Sequence, residues 1–144
     1  MEMLIRQESK LAELYQVFSE RDPDHMEFWQ SMADAEIRHV SMIRELQGQT
    51  LLSEGRVRIN AVKSFLAYVD GLVLRAKKEA LPFAKALSLS MDIEKSLVEK
   101  GMLDHFHATS PEVNALLDRL KQETEGHVVR IEDMWKRNHS PGKG

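Results

Sequence analysis

Apolar residues recur three and four positions apart along four stretches of the chain: Leu4, Leu11, Tyr15 and Phe18; Trp29, Met32, Ile43 and Leu46; Phe83, Leu87 and Leu97; Val113, Leu117, Leu120, Ile131 and Met134. That spacing keeps one side chain per turn on a single helical face, and no run of β-branched residues competes with it. Four long helices are predicted, over about 2–20, 23–48 and 81–104, and from Pro111 to about Asn138.

The breaks between them have their own chemistry. Arg21-Asp22-Pro23-Asp24 stops the first helix, because proline restricts the residue before it, and Asp22 is placed to cap the second with Pro23 at its first position. Thr109 with Glu112 three residues on makes a capping-box pattern, and Pro111 suits a first turn. "QGQTLLSEG", 47–55, reads as loop, and 60–78 as one or two shorter helices broken near Asp70-Gly71. The short links make two antiparallel hairpins. The connection over 49–80 holds 32 residues, enough to return along a helix of about 25 residues, roughly 37 Å. The expected fold is therefore all-α: one four-helix bundle over 1–138, two hairpins joined by a long crossover that contains short helices, and a disordered tail at 139–144.

Each buried stripe is interrupted by residues that prefer water. Glu8 breaks the first, Glu36 and His39 the second, Ser90 and Glu94 the third, Thr124 and His127 the fourth. Residues equidistant from a hairpin turn lie level with one another. Glu8 and Glu36 are each 14 positions from Asp22; Glu94 and Thr124 are each 15 from Thr109, with His127 one turn further. The second hairpin thus copies the first, and "HVSMI" at His39 matches "HVVRI" at His127. Glu8, Glu36, His39, Glu94 and His127 should share one level of the bundle. Three ionised carboxylates do not share a dry interior unaided, since each loses several kcal/mol of hydration (order of magnitude) and all repel one another. Either metal ions sit among them or they take up protons. Carboxylate and imidazole ligands suit iron, manganese or zinc, and residues at i and i+3 point to one side of a helix, as a shared ion requires.

Composition narrows the partners. With 144 residues, 42% apolar and 30% charged, and a net charge of −3 spread along the chain, nothing marks a nucleic-acid or anionic-membrane surface. No cysteine is present, which removes disulfides, thiolate metal sites and thiol nucleophiles. MEMLIRQESK lacks the apolar stretch of a secretory signal, so a cytoplasmic location is expected. His25 reads as a first-turn surface residue, His105 and His107 as a loop pair without a fixed face, and His139 as tail. The methionines, Phe18, Phe28 and Trp29 read as core packing, Tyr15 as a core tyrosine. "SFLAYVDGLVL" either caps the bundle or joins two copies, and a homodimer is expected.

The first hairpin, "ESKLAELYQVFSERDPDHMEFWQSMADAEIRH", resembles the rubrerythrin-like branch of the ferritin-like superfamily, whose first helix carries a Glu followed by a Tyr and whose second carries Trp ahead of a Glu-x-x-His. "LSLSMDIEKSLVEK" is similar to that family's third helix with its Glu. The resemblance implies a ferritin-like bundle with a two-iron centre: Glu8 and Glu94 as terminal ligands, Glu36 as the bridging carboxylate, and His39 and His127 as one nitrogen ligand per ion. It also implies oxidoreductase chemistry on peroxide or dioxygen. One position departs. The family has a second Glu-x-x-His in its fourth helix, whereas Thr124 stands three before His127 here, and a hydroxyl neither bridges two cations nor offsets their charge. One ion held by Glu8, Glu36 and His39, beside a weakened second site, is therefore the expectation; Glu123 can approach His127 at i, i+4 only if the helix rotates or bulges. Without cysteine there is no rubredoxin-type iron, so redox cycling needs an external electron donor. The contrasting expectation is a non-catalytic helical scaffold with a degenerate or single-metal site.

Overall fold

The predicted stripes lie on helices, and where their side chains are described most of them are buried, in the computed structural model, which describes residues 2–46, 52–54, 56–99, 106–108 and 111–138. The described residues are essentially all-α: α1 (Glu2–Arg21), α2 (Met26–Leu46), α3 (Arg56–Lys78), α4 (Phe83–Glu99) and α5 (Pro111–Asn138), with one turn of 3-10 helix at Pro23–His25 and two short strands, β1 (Leu52–Glu54) and β2 (Phe106–Ala108). α1 packs on α2 and α3, α4 on α5, and α2 on α5. No described helix is long and apolar enough to cross a membrane.

The contacts fix directions. Arg130 donates to Ser31 Oγ at 2.7 Å, His127 Nδ1 lies 3.2 Å from Glu36, and Glu123 lies 2.7 Å from His39, so α5 descends α2 as α2 ascends. Lys10 reaches Asp70 at 2.8 Å and Lys77 reaches Glu13 at 3.5 Å, which sets α3 parallel to α1. α4 then starts beside the α1–α2 turn, where the His25 ring stacks on Phe83 at 3.5 Å between centroids. β1 and β2 pair antiparallel, Ser53 opposite His107, and tie the segment after α2 to the segment before α5.

Trp29 is the hub of the core. Fully buried, it meets Phe18 at 4.8 Å, Phe28 at 4.9 Å, Tyr15 at 5.8 Å and Phe83 at 6.0 Å between ring centroids. Aromatic pairs at such distances add about 0.5–1.5 kcal/mol each beyond the area they bury. The turn end of the α1–α2 hairpin is thereby locked to the start of α4.

Four boundaries differ from expectation, each for a local reason. Asp22 makes no side-chain cap; its carboxylate pairs with His25 Nδ1 at 2.9 Å, so proline opens a 3-10 turn and α2 begins only at Met26. α4 begins at Phe83, after Pro82, and its described span ends at Glu99; residues 100–105, including His105, lie outside the described residues, as do the Thr109 of the capping box and the tail at 139–144. Residues 52–54 and 106–108 are strand rather than loop, because their partner is some 50 positions away and leaves no local pattern. Finally, α3 is one unbroken helix that lies along α1. Phe65, Val69, Leu72, Val73 and Ala76 form its buried stripe, Asp70 is held outward by Lys10, and Gly71 is simply exposed in mid-helix.

A Cβ at Gly71 meets nothing within 4 Å. Glycine in an exposed helix interior costs roughly 0.8–1 kcal/mol relative to alanine, so Gly71→Ala should stabilise the protein by about that amount. Urea denaturation would read it as a higher midpoint at unchanged slope; a lower midpoint would mean that α3 bends at this residue.

Candidate metal centre

The interrupting residues meet. Glu8 projects from α1 one turn before Leu11, Glu36 and His39 from α2, Glu94 from α4 and His127 from α5. All five are buried, none more than 6% exposed. The helical period that buries Leu11, Met32, Leu97 and Ile131 carries these residues inward with them, so the polar cluster is enforced by apolar burial on either side.

Two three-residue groups result, Glu8 with Glu36 and His39, and Glu36 with Glu94 and His127. Within each, one ligand atom per residue lies within 4.8 Å of the others, a spacing that could hold a metal ion. Glu36 belongs to both. Its Oε2 faces His39 Nδ1 at 3.4 Å and its Oε1 faces His127 Nδ1 at 3.2 Å. His39 Nδ1 also lies 3.7 Å from Glu8 Oε2, and His127 Nδ1 lies 3.4 Å from Glu94 Oε1. The two rings are nearly parallel, 5.9 Å apart. Both histidines thus turn the same nitrogen inward.

Polar atoms in this interior are left over. Glu36 Oε2, Glu94 Oε2 and His39 Nδ1 are buried without a hydrogen-bond partner among the described residues. An orphaned buried acceptor costs about 1–3 kcal/mol, more when charged. Three of them converging on one space is the donor set that a divalent cation satisfies, and carboxylate oxygen with imidazole nitrogen fits iron, manganese or zinc.

The protonation pattern follows from the same crowding. Burial and the facing charge of Glu36 push the Glu8 carboxyl well above the usual carboxylate range. Burial also pushes Glu36 upward, but hydrogen bonds from Glu8, His127 and His39 outweigh it and hold Glu36 ionised, below the usual value. Burial alone would lower the two histidines. Glu36 with Glu8 raises His39 to about 10, and Glu36 with Glu94 raises His127 to about 10. Without metal the cluster therefore balances its charge with bound protons, all of which a cation must displace.

Three neighbours complete the site. Tyr15 is a core tyrosine, as expected, but its hydroxyl also donates to Glu94 Oε1 at 2.5 Å; burial and the surrounding carboxylates raise its pKa well above the ordinary value. Thr124 is buried, and its hydroxyl turns back to donate to Leu120 O at 2.8 Å, so it offers the cluster nothing. Glu123 could approach His127 only through a rotated or bulged helix; instead its Oε2 lies 2.7 Å from Nε2 of His39, across on α2. The position one before a buried residue turns about 100° around the helix, here toward α2. Helix-to-helix direction, absent from any single-helix pattern, was the missing signal.

Comparison with family models, with curated proteins and with solved structures finds no match to this chain. The functional reading therefore stands on the residues and their geometry.

The raised histidines have a stability consequence with a definite sign. A group whose folded pKa exceeds its unfolded value stabilises the fold fully below the unfolded value, about 6.5 here, and loses that contribution as pH rises through the folded value, about 10. The melting temperature of metal-free protein should fall between about pH 7 and pH 10. The double variant His39→Gln/His127→Gln should lose most of that slope. Calorimetric scans across this window check it, and a flat or rising profile for the unmutated protein would contradict a protonated histidine pair.

Proposed function

We propose that the chain is a rubrerythrin-like, ferritin-fold metalloprotein. In this reading α1, α2, α4 and α5 are a four-helix bundle of two antiparallel hairpins, α3 is the crossover between them, and Glu8, Glu36, His39, Glu94 and His127 hold a two-metal centre. The observation that carries it is the divided carboxylate of Glu36, one oxygen toward each histidine. A carboxylate so placed is positioned to lie between two metal ions, as it lies between two protonated imidazoles in their absence. The parallel run of α3 along α1 supports the crossover.

Iron is the proposed metal, with manganese or zinc as alternatives of the same ligand class. Two such ions, when bound, supply Lewis acidity and, for iron, the electrons that reduce peroxide or dioxygen. The protein's own part is positional. Burial keeps bulk water from the carboxylates, Glu36 sets the spacing of the two positions, and Tyr15 fixes one oxygen of Glu94. An external donor returns the electrons, since the chain has no cysteine for an iron–sulfur relay of its own. The proposed setting is cytoplasmic, the proposed assembly a homodimer, and the proposed partners are that donor and a small-molecule oxidant.

Thr124 favours a second reading. It stands where the hairpin correspondence puts a counterpart of Glu36, and its hydroxyl is turned away. With three carboxylates against two divalent ions, the His127 half is the weaker, and a chain holding one structural ion would be a scaffold rather than a catalyst.

Metal analysis of protein purified without chelator separates the readings: two iron ions per chain support the oxidoreductase, and one zinc ion supports the scaffold. Glu36→Ala should weaken binding at both positions at least roughly 100-fold, the upper end of what loss of a mere outer partner costs, and should abolish the thermal stabilisation that added metal gives. Unchanged loading and melting in Glu36→Ala would reject the ligand assignment.

A further inference from the structure

We infer that Glu123 is a positioning residue that makes the two halves of the centre unequal, so that the Glu8–Glu36–His39 half takes the first metal ion and the Glu36–Glu94–His127 half the second. The inference rests on the metal-centre reading above. It starts from the outer nitrogen of His39. An imidazole offers a metal the nitrogen that has no proton, and the other nitrogen keeps its proton where an acceptor holds it. His39 presents Nδ1 to Glu36 and Glu8, while Nε2 lies 2.7 Å from Glu123 Oε2. That carboxylate oxygen is buried and has no hydrogen-bond partner among the described residues, so His39 Nε2 is the group nearest to satisfying it. Once a metal ion displaces the Nδ1 proton, this oxygen is placed beside the nitrogen that keeps the remaining one, and so orients the ring. The Glu123 side chain remains 38% exposed, so its charge stays partly hydrated and costs the fold little.

Among the described residues no carboxylate pairs with Nε2 of the other histidine. The hairpin correspondence that matches His39 with His127 and Glu36 with Thr124 matches Glu123 with Ala35, whose buried methyl group accepts nothing. Each half has one carboxylate of its own, Glu8 or Glu94, and shares Glu36, so the difference lies in what touches those groups from outside. One further contact acts in the same direction: Glu94 Oε1 already accepts the Tyr15 hydroxyl at 2.5 Å, which drains charge from the oxygen facing His127.

The test is a Zn2+ titration of the full chain, followed through the nitrogen-15 resonances of the two histidines. In the unmutated protein His39 Nδ1 should respond at lower Zn2+ than His127 Nδ1. Glu123→Ala should weaken the His39 response roughly 10–100-fold and remove or reverse that order, while Glu123→Gln, which retains an acceptor oxygen, should fall between. A merely structural contribution would shift both histidines together. An order in Glu123→Ala identical to that of the unmutated protein overturns the inference and leaves the metal centre standing. A chain in which neither histidine responds to Zn2+ overturns both.

Discussion

Five groups that prefer water are forced by helical periodicity into the same dry space, and most of the molecule is arranged around that constraint. Removing a charged carboxylate from water costs several kcal/mol even after relaxation, against a typical total stability of about 5–15 kcal/mol. Three such groups are unaffordable without compensation. The site shows two forms of it: Glu8 holds its proton more tightly than an ordinary carboxyl while both histidines are pushed toward the cationic form around Glu36, and three buried atoms lack a partner among the described residues. The first lowers the charge the interior must carry without a metal ion; the second is what makes the cluster a candidate metal centre.

A metal site needs ligands held still, and the packing supplies this. Each of the five residues lies within about a turn or two of a fully buried apolar residue on its own helix, such as Leu11 beside Glu8 or Ile131 beside His127. Tyr15 links the two regions, stacking on Trp29 at one face and donating to Glu94 at its tip. A shift in the aromatic core therefore moves a ligand. α3 adds a buried face along α1, the helix that carries both Glu8 and Tyr15.

Much of this was legible in the chain. The stripes, the antiparallel first hairpin and the level meeting of Glu8, Glu36, His39, Glu94 and His127 all follow from periodicity and from counting out of a turn, because both quantities are local. The failures were of other kinds. Gly71 suggested a break that the apolar stripe from Phe65 to Ala76 overrides, since tertiary burial outweighs about 1 kcal/mol of propensity. Asp22 had a better partner in His25 than in the helix end. The β1–β2 pairing and the contact of Glu123 with His39 depend on which helices become neighbours, and no single-element pattern contains that. What Thr124 does was legible only as an absence; the direction of its hydroxyl came from the structure.

Anomalous X-ray scattering from crystals of the metal-loaded protein tests the central claim most directly. Peaks are expected inside the molecule, the stronger between Glu8, Glu36 and His39 and the weaker between Glu36, Glu94 and His127, with the Glu36 carboxylate between them. Metal found only at surface carboxylates, with the five buried side chains bonded to one another instead, would contradict it.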